Sequence, residues 1–388
     1  MTITAFSEPE ERIALRQAVA KLAGSYGREY IEKKSREGGK TTELWQDMGK
    51  NGYLGVSIPE EFGGGGGGIA DLAAVLEEAA AAGAPLLLMV VSPAICGTVI
   101  ARFGTDEQKK RWLPGIADGS FTMAFGITEP DAGSNSHKIT TTATRDGDEW
   151  VLNGAKTFIS GVDEADAVLI VSRTADAKTG KLKPCLFVVP TDAKGFEAQP
   201  IPMGFVAPEK QFTLFIDKVR LPADALVGTE DAGIMQLFAG LNPERIMGAA
   251  FSNGIARYAL DKAVDYVKTR DVWGQPIGAH QGIAHPLAKI KIELEQSRLL
   301  QQKAAALYDA GDDFGAGEFA NMAKYAAAEV ACNATDVAVH SHGGNGMTQE
   351  YGLATMLLAA RIGRIAPVSR EMILNFVAMH SLGLPKSY

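Results

Sequence analysis

The sequence predicts an α+β protein in which two helical regions flank a central β domain. Apolar residues recur with helical spacing before residue 120 and again after residue 229, whereas short, alternating, turn-bounded runs fill the stretch between. The length of 388 residues, with 46% hydrophobic and 22% charged residues, suits two or three packed domains. We therefore expect an N-terminal helical domain at 1–120, a middle β domain at 121–228 and a C-terminal helix bundle at 229–388.

The N-terminal third contains five predicted helices and one glycine run. A run of six consecutive glycines favours neither helix nor strand. No Lys-Ser/Thr pair follows it, as a phosphate-binding loop would require, so we interpret residues 63–68 as a mobile connector. The predicted helices cover residues 10–22, 42–50, 69–82, 85–103 and 107–116.

The middle region predicts strands, and the last third predicts helices again. The pairs Gly147-Asp148 and Asn153-Gly154 are typical of tight hairpin turns, so we expect an antiparallel sheet or a small barrel. The predicted strands are FTMAFGI, TTTATR, EWVLNG, AKTFIS, AVLIVS, CLFVVP and FTLFIDKV. The predicted C-terminal helices cover residues 233–269, 280–310, 316–340 and 369–382.

Charge and cysteine content argue against several kinds of partner. A net charge of −8 offers no basic surface to nucleic acid or an anionic membrane. No apolar run approaches the ~20 residues that span a bilayer, and no signal-peptide pattern is present, so we expect a cytoplasmic protein. Cys96, Cys185 and Cys332 are too few and too far apart for a disulfide framework or a zinc site. We expect them to be reduced core residues, and we expect no bound metal.

The first predicted strand runs directly into a loop rich in hydroxyls and glycine, FGITEPDAGS. Thr128 and Ser134 offer hydroxyls, and Gly133 allows its backbone to approach a flat, polar-edged ring or a phosphate chain closely. Phe158 and Ser160, in KTFIS, add an aromatic ring and a second hydroxyl from the same sheet. Taken alone, the TEP and AGS segments fit a simple tight turn equally well.

Together these segments resemble the paired flavin-binding signatures of the acyl-CoA dehydrogenase family. ITEPDAGSN and then NGAKTFIS match the signatures in order and spacing. PEEFGG, VRLP, RDVWGQPI and GGNG match further family motifs, so the resemblance covers nearly the whole chain. It implies the family's three-domain fold, with a middle β-barrel domain and a C-terminal four-helix bundle, and an FAD cofactor where the domains meet.

The resemblance also implies specific cofactor contacts. The flavin ring would lie against the sheet, with Phe125, Ile127 and Thr128 along its edge and Phe158 and Ser160 on its far side. The dinucleotide tail would reach another subunit, which implies a homotetramer. The further residues implied to bind FAD are Gly133, Ser134, Arg270, Trp273, Gln281, His340, Gly343, Gly344, Ser369 and Glu371.

Two of these positions depart from the family pattern. Trp273 replaces the usual phenylalanine, which keeps an aromatic ring, and His340 replaces the usual glutamine. Because an imidazole can still donate a hydrogen bond, we retain His340 in the predicted site. The glycine pair that follows would present backbone N–H groups to the pyrophosphate without hindrance from a Cβ atom.

The reaction of this family requires a carboxylate base. The base takes a proton from the α carbon of an acyl thioester while a hydride leaves the β carbon. Most members carry this glutamate near the C-terminus, but a gapless count from Gly343 puts Pro367 there. Isovaleryl-CoA and long-chain acyl-CoA dehydrogenases resemble one another in carrying it earlier, before the arginine of an LxxER segment. LNPER matches that segment and makes Glu244 the predicted base, with Arg245 as its structural neighbour.

Alternative readings of these positions stay open. Without the resemblance, a Glu-Arg pair near the start of a long helix is more typical of a solvated face. Proline also lacks the main-chain N–H that the family uses at this position to polarise the thioester carbonyl. Residues 206–211 lack the usual serine and threonine of the CoA-binding loop. The predicted substrate contacts are Ser134, Leu241, Asn242, Arg245, Ala366 and Pro367.

The implied activity is FAD-dependent α,β-dehydrogenation of an acyl-CoA to the trans-2-enoyl-CoA. The early glutamate favours branched-chain or medium- to long-chain acyl groups, and the electrons would pass to an electron-transferring flavoprotein. One alternative is a flavin oxidase or monooxygenase of the same fold, which Pro367 and the unusual CoA loop leave open. A second is a non-enzymatic acyl-binding protein that has lost its flavin.

Overall fold

The computed structural model describes residues 8–176, 179–205, 207–230 and 233–386, and its first part is helical. All five predicted helices are confirmed, although the first continues past residue 22 through a kink at Gly27. The fourth predicted helix starts late and opens with a π-helical segment, Val90–Gly97. The helices are α1 (Glu10–Arg36), α2 (Thr42–Lys50), α3 (Ile69–Ala81), α4 (Thr98–Phe103) and α5 (Asp106–Asp118).

The glycine run before α3 is a packed turn, which corrects the expectation of a mobile connector. Five of its N–H groups donate to carbonyl oxygens of the preceding segment, over 2.8 to 3.2 Å. A Cβ atom at Gly64 would lie 2.0 Å from the carbonyl oxygen of Ile58, and one at Gly68 would lie 2.2 Å from a carboxylate oxygen of Asp309. Glycine is therefore required here by close packing as well as by backbone conformation.

The middle region forms one seven-stranded sheet with the order β1-β4-β2-β3-β7-β6, and β5 pairs with β4. Two pairings, β1 with β4 and β2 with β4, are parallel, which corrects the expectation of a purely antiparallel sheet. Along the chain, the β2–β3 hairpin comes between β1 and β4. β4 then pairs beside β1 and runs in the same direction. The strands are β1 (Met123–Gly126), β2 (Thr142–Asp146), β3 (Glu149–Ser160), β4 (Ala167–Ala175), β5 (Leu182–Pro190), β6 (Phe196–Ile201) and β7 (Gln211–Pro222).

The two predicted hairpin turns have different outcomes. Gly147-Asp148 does form the β2–β3 turn, whereas the prediction at Asn153-Gly154 is wrong. The two strands expected there are one strand, β3, with a register shift at this point. The Asn153 side-chain oxygen accepts a hydrogen bond from the Lys218 N–H (2.9 Å), which stabilises a bulge. β6 was not predicted, because its exposed and polar positions hide the alternation.

Helices return after the sheet and form the C-terminal bundle. The four predicted helices are confirmed, and one short helix, α9, was not predicted. α6, α7 and α8 pack against one another, while α9 and α10 pack against α8. The elements are α6 (Gly233–Thr269), a small hairpin of β8 (Asp271–Val272) and β9 (Gln275–Pro276), α7 (Gln281–Asp309), α8 (Asp313–His342), α9 (Ala354–Ile362), and α10 (Arg370–Phe376) with a π-helical end (Val377–Ser381).

The π-helical segment before α4 connects the sheet to the bundle. Ser92 Oγ accepts a hydrogen bond from the Met123 N–H of β1 (3.1 Å). On the other side, Ile95 packs on Gly240 of α6, where an added Cβ would lie 3.2 Å from its methyl carbon. The first strand, this segment and the turn of α6 that precedes Glu244 therefore form one continuous packing unit.

All three cysteines are free and buried, as predicted. Over the described ranges, none of the helices combines the length and the apolar character needed to cross a bilayer.

Candidate active site

The loop after β1 is fixed to β3 by main-chain and side-chain hydrogen bonds. Phe125 is buried at the end of β1, and Ile127 and Thr128 follow it half-buried. The Ile127 carbonyl accepts from Lys156 Nζ (3.2 Å), and the Thr128 carbonyl accepts from the Thr157 N–H (2.9 Å). The residues predicted to line the flavin edge are therefore held beside the strand that carries the rest of the predicted ring site.

A buried ion pair supports this loop, and the sequence reasoning did not assign it. Glu129 accepts from Lys156 Nζ (2.9 Å), from the Thr141 N–H (2.9 Å) and from the Thr140 N–H (2.6 Å). Burial opposes ionisation of Glu129, but the hydrogen bonds from Thr141 and Lys156 outweigh it and lower its pKa to about 2. Burial lowers the pKa of Lys156 to about 8. Both residues lie inside the quoted motifs, which is the signal that could have found them.

Phe158 has an unusual conformation for an aromatic residue. Its φ of 57° lies in the left-handed region, at a second register shift of β3, and its side chain is 57% exposed. Ser160 lies two residues further along and donates to the Gln211 side-chain oxygen (3.0 Å). Gly133 and Ser134 are exposed, and a Cβ atom added at Gly133 would meet no other atom within 4 Å. The exposed ring and the open glycine leave room for a flat ligand.

The predicted base, Glu244, follows a proline inside α6. Pro243 has no N–H to donate to the Ala239 carbonyl one turn earlier. The Tyr308 hydroxyl of α7 donates to that oxygen instead (3.1 Å), so the helix continues without an unpaired buried carbonyl. Pro243 therefore leaves the Ala239 carbonyl paired, and the first turns of α6 remain intact up to Glu244.

The Glu244 carboxylate makes no hydrogen bond or ion pair within the described part of the chain. Burial raises its pKa to about 7, and the charges of Arg245 and Lys324 partly oppose the rise. Pro367 lies against the same face of α6, since a Cβ atom at Gly248 would lie 3.4 Å from its Cδ. Gly248 is one turn after Glu244, so Pro367 packs against the face of α6 that carries the predicted base.

The remaining residues of the predicted substrate site differ in availability. Arg245 donates to the Leu241 carbonyl (3.1 Å) and to the Asn242 side chain (3.5 Å), but its buried Nε has no partner. Asn242 is also bonded to the Asp313 carbonyl (2.8 Å), which ties α6 to α8 and leaves little of its side chain free. Ala366 is exposed in the turn before α10.

Two predicted flavin contacts lie at the start of α10. Ser369 is its N-cap, and Ser369 Oγ accepts from the Met372 N–H (3.3 Å), so its hydroxyl proton remains available. The Glu371 side chain is 74% exposed, with Arg370 Nε at 3.8 Å. Val206, the first residue of the unusual CoA loop, lies outside the described residues.

The residues predicted to hold the dinucleotide tail gather at the opposite end of α6. The Arg270 carbonyl accepts from the Ile277 N–H (2.8 Å), which brings the end of α6 to the start of α7. Trp273 and Gly274 both have positive φ in the β8–β9 turn, and the Trp273 side chain is 90% exposed. Gln281 is exposed at the first position of α7. The Arg270 side chain is exposed and has no partner among the described residues.

An aromatic stack joins this end of α6 to the glycine pair. Tyr266 stacks on His342 with ring centroids 4.0 Å apart, and the Tyr266 hydroxyl accepts from the Asn345 side chain (3.1 Å). The glycine pair between these two residues is exposed, as is His340. A Cβ atom at Gly343 or Gly344 would meet nothing within 4 Å. An exposed guanidinium without a partner among the described residues and an open glycine backbone are both suited to an anionic pyrophosphate.

The comparisons with known proteins agree with this arrangement. The models of the acyl-CoA dehydrogenase N-terminal, middle and C-terminal domains match residues 9–120, 124–218 and 231–382. The chain is 68% identical to the acyl-CoA dehydrogenase FadE12 of Mycobacterium tuberculosis (strain H37Rv) over the full length of both.

Solved structures show the same fold. A glutaryl-CoA dehydrogenase in complex with glutaryl-CoA aligns with a TM-score of 0.94 at 30% identity and 98% coverage of both chains. A glutaryl-CoA dehydrogenase from Mycobacterium smegmatis in complex with FADH2 aligns with a TM-score of 0.90 at 26% identity, covering 100% of this chain and 98% of that one.

These findings define a class of flavin-linked oxidoreductase with helical, sheet and helical domains. The chain belongs to the acyl-CoA dehydrogenase family and is an enzyme of that class. The family and its flavin-bound structural relatives indicate a flavin cofactor.

Proposed function

We propose that the protein dehydrogenates an acyl-CoA thioester between its α and β carbons, with FAD as cofactor and Glu244 as base. The observation that carries this proposal is the Glu244 carboxylate, which has no partner among the described residues and a pKa of about 7. It lies beside Pro367 and in the same packing unit as the loop after β1. A base with a pKa near neutral suits removal of a weakly acidic α proton.

Each part of the candidate site has a task in this proposal. Glu244 takes the α proton and must be ionised, so the rate of substrate oxidation rises as pH passes through its pKa. FAD, when bound, accepts the hydride from the β carbon. Thr128, Phe158 and Ser160 would hold the ring, and Arg270 with the glycine pair would hold the pyrophosphate of an FAD from another subunit. The latter arrangement supports a homotetramer.

Pro367 changes how the thioester carbonyl is polarised. Its packing beside Gly248 supports the gapless count that puts it at the usual base position. Since proline supplies no main-chain N–H there, one expected donor to the carbonyl oxygen is missing. The consequence is weaker activation of the α proton, which a base with a raised pKa compensates because its proton affinity is higher.

We further propose a branched-chain or medium- to long-chain acyl group as substrate and an electron-transferring flavoprotein as electron acceptor. The early position of the glutamate supports the first part, and membership of the family supports the second. An oxidase or monooxygenase reaction is the second candidate, favoured by the missing N–H at Pro367. Rapid oxygen consumption by the reduced enzyme would support it over dehydrogenation.

The test is anaerobic bleaching of the flavin by a panel of acyl-CoAs in stopped flow. We expect isovaleryl-CoA or a long-chain acyl-CoA to reduce the flavin faster than butyryl-CoA. A clear preference for butyryl-CoA would contradict the substrate class, and no bleaching by any acyl-CoA would contradict dehydrogenation. Loss of all FAD on purification, without reconstitution, would favour a non-enzymatic acyl-binding protein.

A further inference from the structure

One lysine is buried in the bundle beside the candidate base. Lys324 lies on α8 within an otherwise alanine-rich stretch, and only 2% of it is exposed. Its ammonium donates to the Val368 carbonyl, in the turn before α10. A buried ammonium with one neutral acceptor is costly, and a methionine could fill a similar volume without that cost. The charge therefore calls for a partner of opposite sign.

The geometry places that partner on α6. A Cβ atom at Gly248 would lie 3.4 Å from Pro367 Cδ and 4.0 Å from Lys324 Cγ. The lysine stem thus passes through the contact between α6 and the turn that contains Pro367. One turn before Gly248 on the same face of α6 is Glu244, whose carboxylate has no bonded partner in the described chain.

The charged groups that act on Lys324 come from two other elements. Glu244 and Arg245 face it from α6, and Glu371 acts on it from α10. Burial lowers the pKa of Lys324 to about 8, while Glu244 opposes that shift and Arg245 adds to it. Since Glu371 is largely exposed and already near Arg370, the half-buried carboxylate of Glu244 is the principal anion for the lysine.

We infer that Lys324 is a positioning residue for catalysis, which holds the 366–368 turn against α6 and keeps Glu244 ionised at neutral pH. This inference rests on the proposed function, in which Glu244 is the base. The hydrogen bond from Lys324 to the Val368 carbonyl holds the 366–368 turn in place. The charge of Lys324 acts on the Glu244 carboxylate across the contact between α6 and this turn. In this role Lys324 does not contact the reacting atoms and affects the reaction through Glu244.

The inference is tested with K324M, K324Q and K324R as FAD-loaded enzymes. K324M removes the charge and the hydrogen bond, K324Q removes the charge but keeps a donor for the Val368 carbonyl, and K324R keeps the charge at every pH. Flavin reduction by the best acyl-CoA of the panel is followed from pH 6 to pH 9. In parallel, the carbonyl stretch of protonated Glu244 is titrated by infrared difference spectroscopy without substrate, with E244Q to assign the band.

Loss of the lysine charge should raise the titration midpoint of Glu244. A shift of one pH unit lowers the ionised fraction at pH 7, and with it the reduction rate, by about fivefold. The loss should disappear towards pH 9, where Lys324 of the wild type also deprotonates. K324Q should share the shifted midpoint with K324M, and K324R should keep the midpoint at or below its wild-type value.

Contrary results are equally definite. An unchanged infrared midpoint in K324Q or K324M, or a rate loss that is the same at every pH, would overturn the inference and leave Lys324 a structural residue. Should K324M fold poorly, K324Q still decides the question, because it preserves the bond to the turn. Failure of the proposed function looks different: E244Q would then reduce its flavin normally, whatever the infrared midpoint does.

Discussion

The proposed base and the proposed phosphate-binding arginine lie towards opposite ends of α6, and their surroundings differ. Glu244 lies near the start, packed against the bundle, and burial raises its pKa to about 7. Arg270 lies just past the other end, exposed and one turn after Tyr266, whose hydroxyl contacts Asn345 beside the open glycine pair. The 26 positions from Glu244 to Arg270 correspond to about 40 Å of helix. The proposed base and the proposed binding site for the FAD pyrophosphate therefore lie far apart in one chain.

The comparison shows that the solvent and hydrogen-bond donors around a charged side chain determine what that side chain can do. Glu244 is half-buried, and no donor among the described residues replaces the water that burial removes, so its carboxylate gains basicity. At Arg270 the guanidinium keeps its solvent, and no partner within the described chain competes for an incoming phosphate. Glu129 shows the third possibility, since a buried carboxylate that receives several hydrogen bonds has a pKa of about 2 and serves as a structural clamp.

The largest expected effect comes from removing the base at the first end. E244Q keeps the size of the side chain and removes its proton affinity, and general-base catalysis contributes roughly 10²- to 10⁴-fold. We expect E244Q to stay yellow, to bind product-like acyl-CoA and to reduce its flavin at least about a hundredfold more slowly. Stopped-flow reduction measures the rate, with E371Q as the matched control. A near wild-type rate in E244Q would mean that the base lies elsewhere.

The sequence predicted the main elements of this comparison but not the contacts between them. The helical periodicity predicted both ends of α6 to the residue. The motif match made Glu244 and Arg270 candidate site residues. It could not reveal that Lys324 is buried, because burial of a charge depends on neighbours that are distant in sequence; Glu129 and Lys156 lay inside the quoted motifs, but the motifs do not show that the two residues pair. The hairpin prediction at residues 153–154 failed for a related reason, since a bulge and a turn share the same local Asn-Gly preference.

The next effect concerns the opposite end of α6. R270A should weaken FAD retention and tetramer integrity together, because the guanidinium is proposed to reach the phosphates of an FAD across a subunit contact. Loss of one charge-assisted contact predicts an affinity loss of about 10- to 100-fold. Absorbance of retained flavin and light scattering after gel filtration measure the two losses. R111A, which removes an exposed arginine from α5, is the control, and normal flavin content with normal assembly in R270A would refute the placement.

A third prediction sharpens the contrast through stability. Glu244 titrates near 4.5 when unfolded and near 7 when folded, so between these values the folded protein holds the proton more tightly. Stability from this group therefore falls as pH rises from 4.5 to 7, and the cost is complete above 7. E244Q lacks this cost, and its free energy of unfolding should exceed that of the wild type by roughly 1–3 kcal/mol at pH 8.

Denaturant unfolding of the FAD-loaded proteins at pH 5 and pH 8 checks this expectation. The advantage of E244Q should be large at pH 8 and small at pH 5. An advantage that does not depend on pH would show that the substitution improves packing instead of removing a strained charge. Glutamine at residue 371 should give no such pH-dependent gain, since that carboxylate is mostly exposed.

The smallest effect is expected from E371Q, which lies in sequence near Pro367 but faces solvent. Its matched position in the family is a flavin contact, so FAD should dissociate a few-fold more readily, within the range of one exposed charged interaction. Flavin reduction at saturating FAD should change less than the FAD affinity, because the proton goes to Glu244. Equilibrium titration of the apoprotein with FAD and stopped-flow reduction separate the two quantities. A loss of reduction comparable to that of E244Q, with unchanged FAD affinity, would move the base to α10 and reverse the assignment of the two carboxylates.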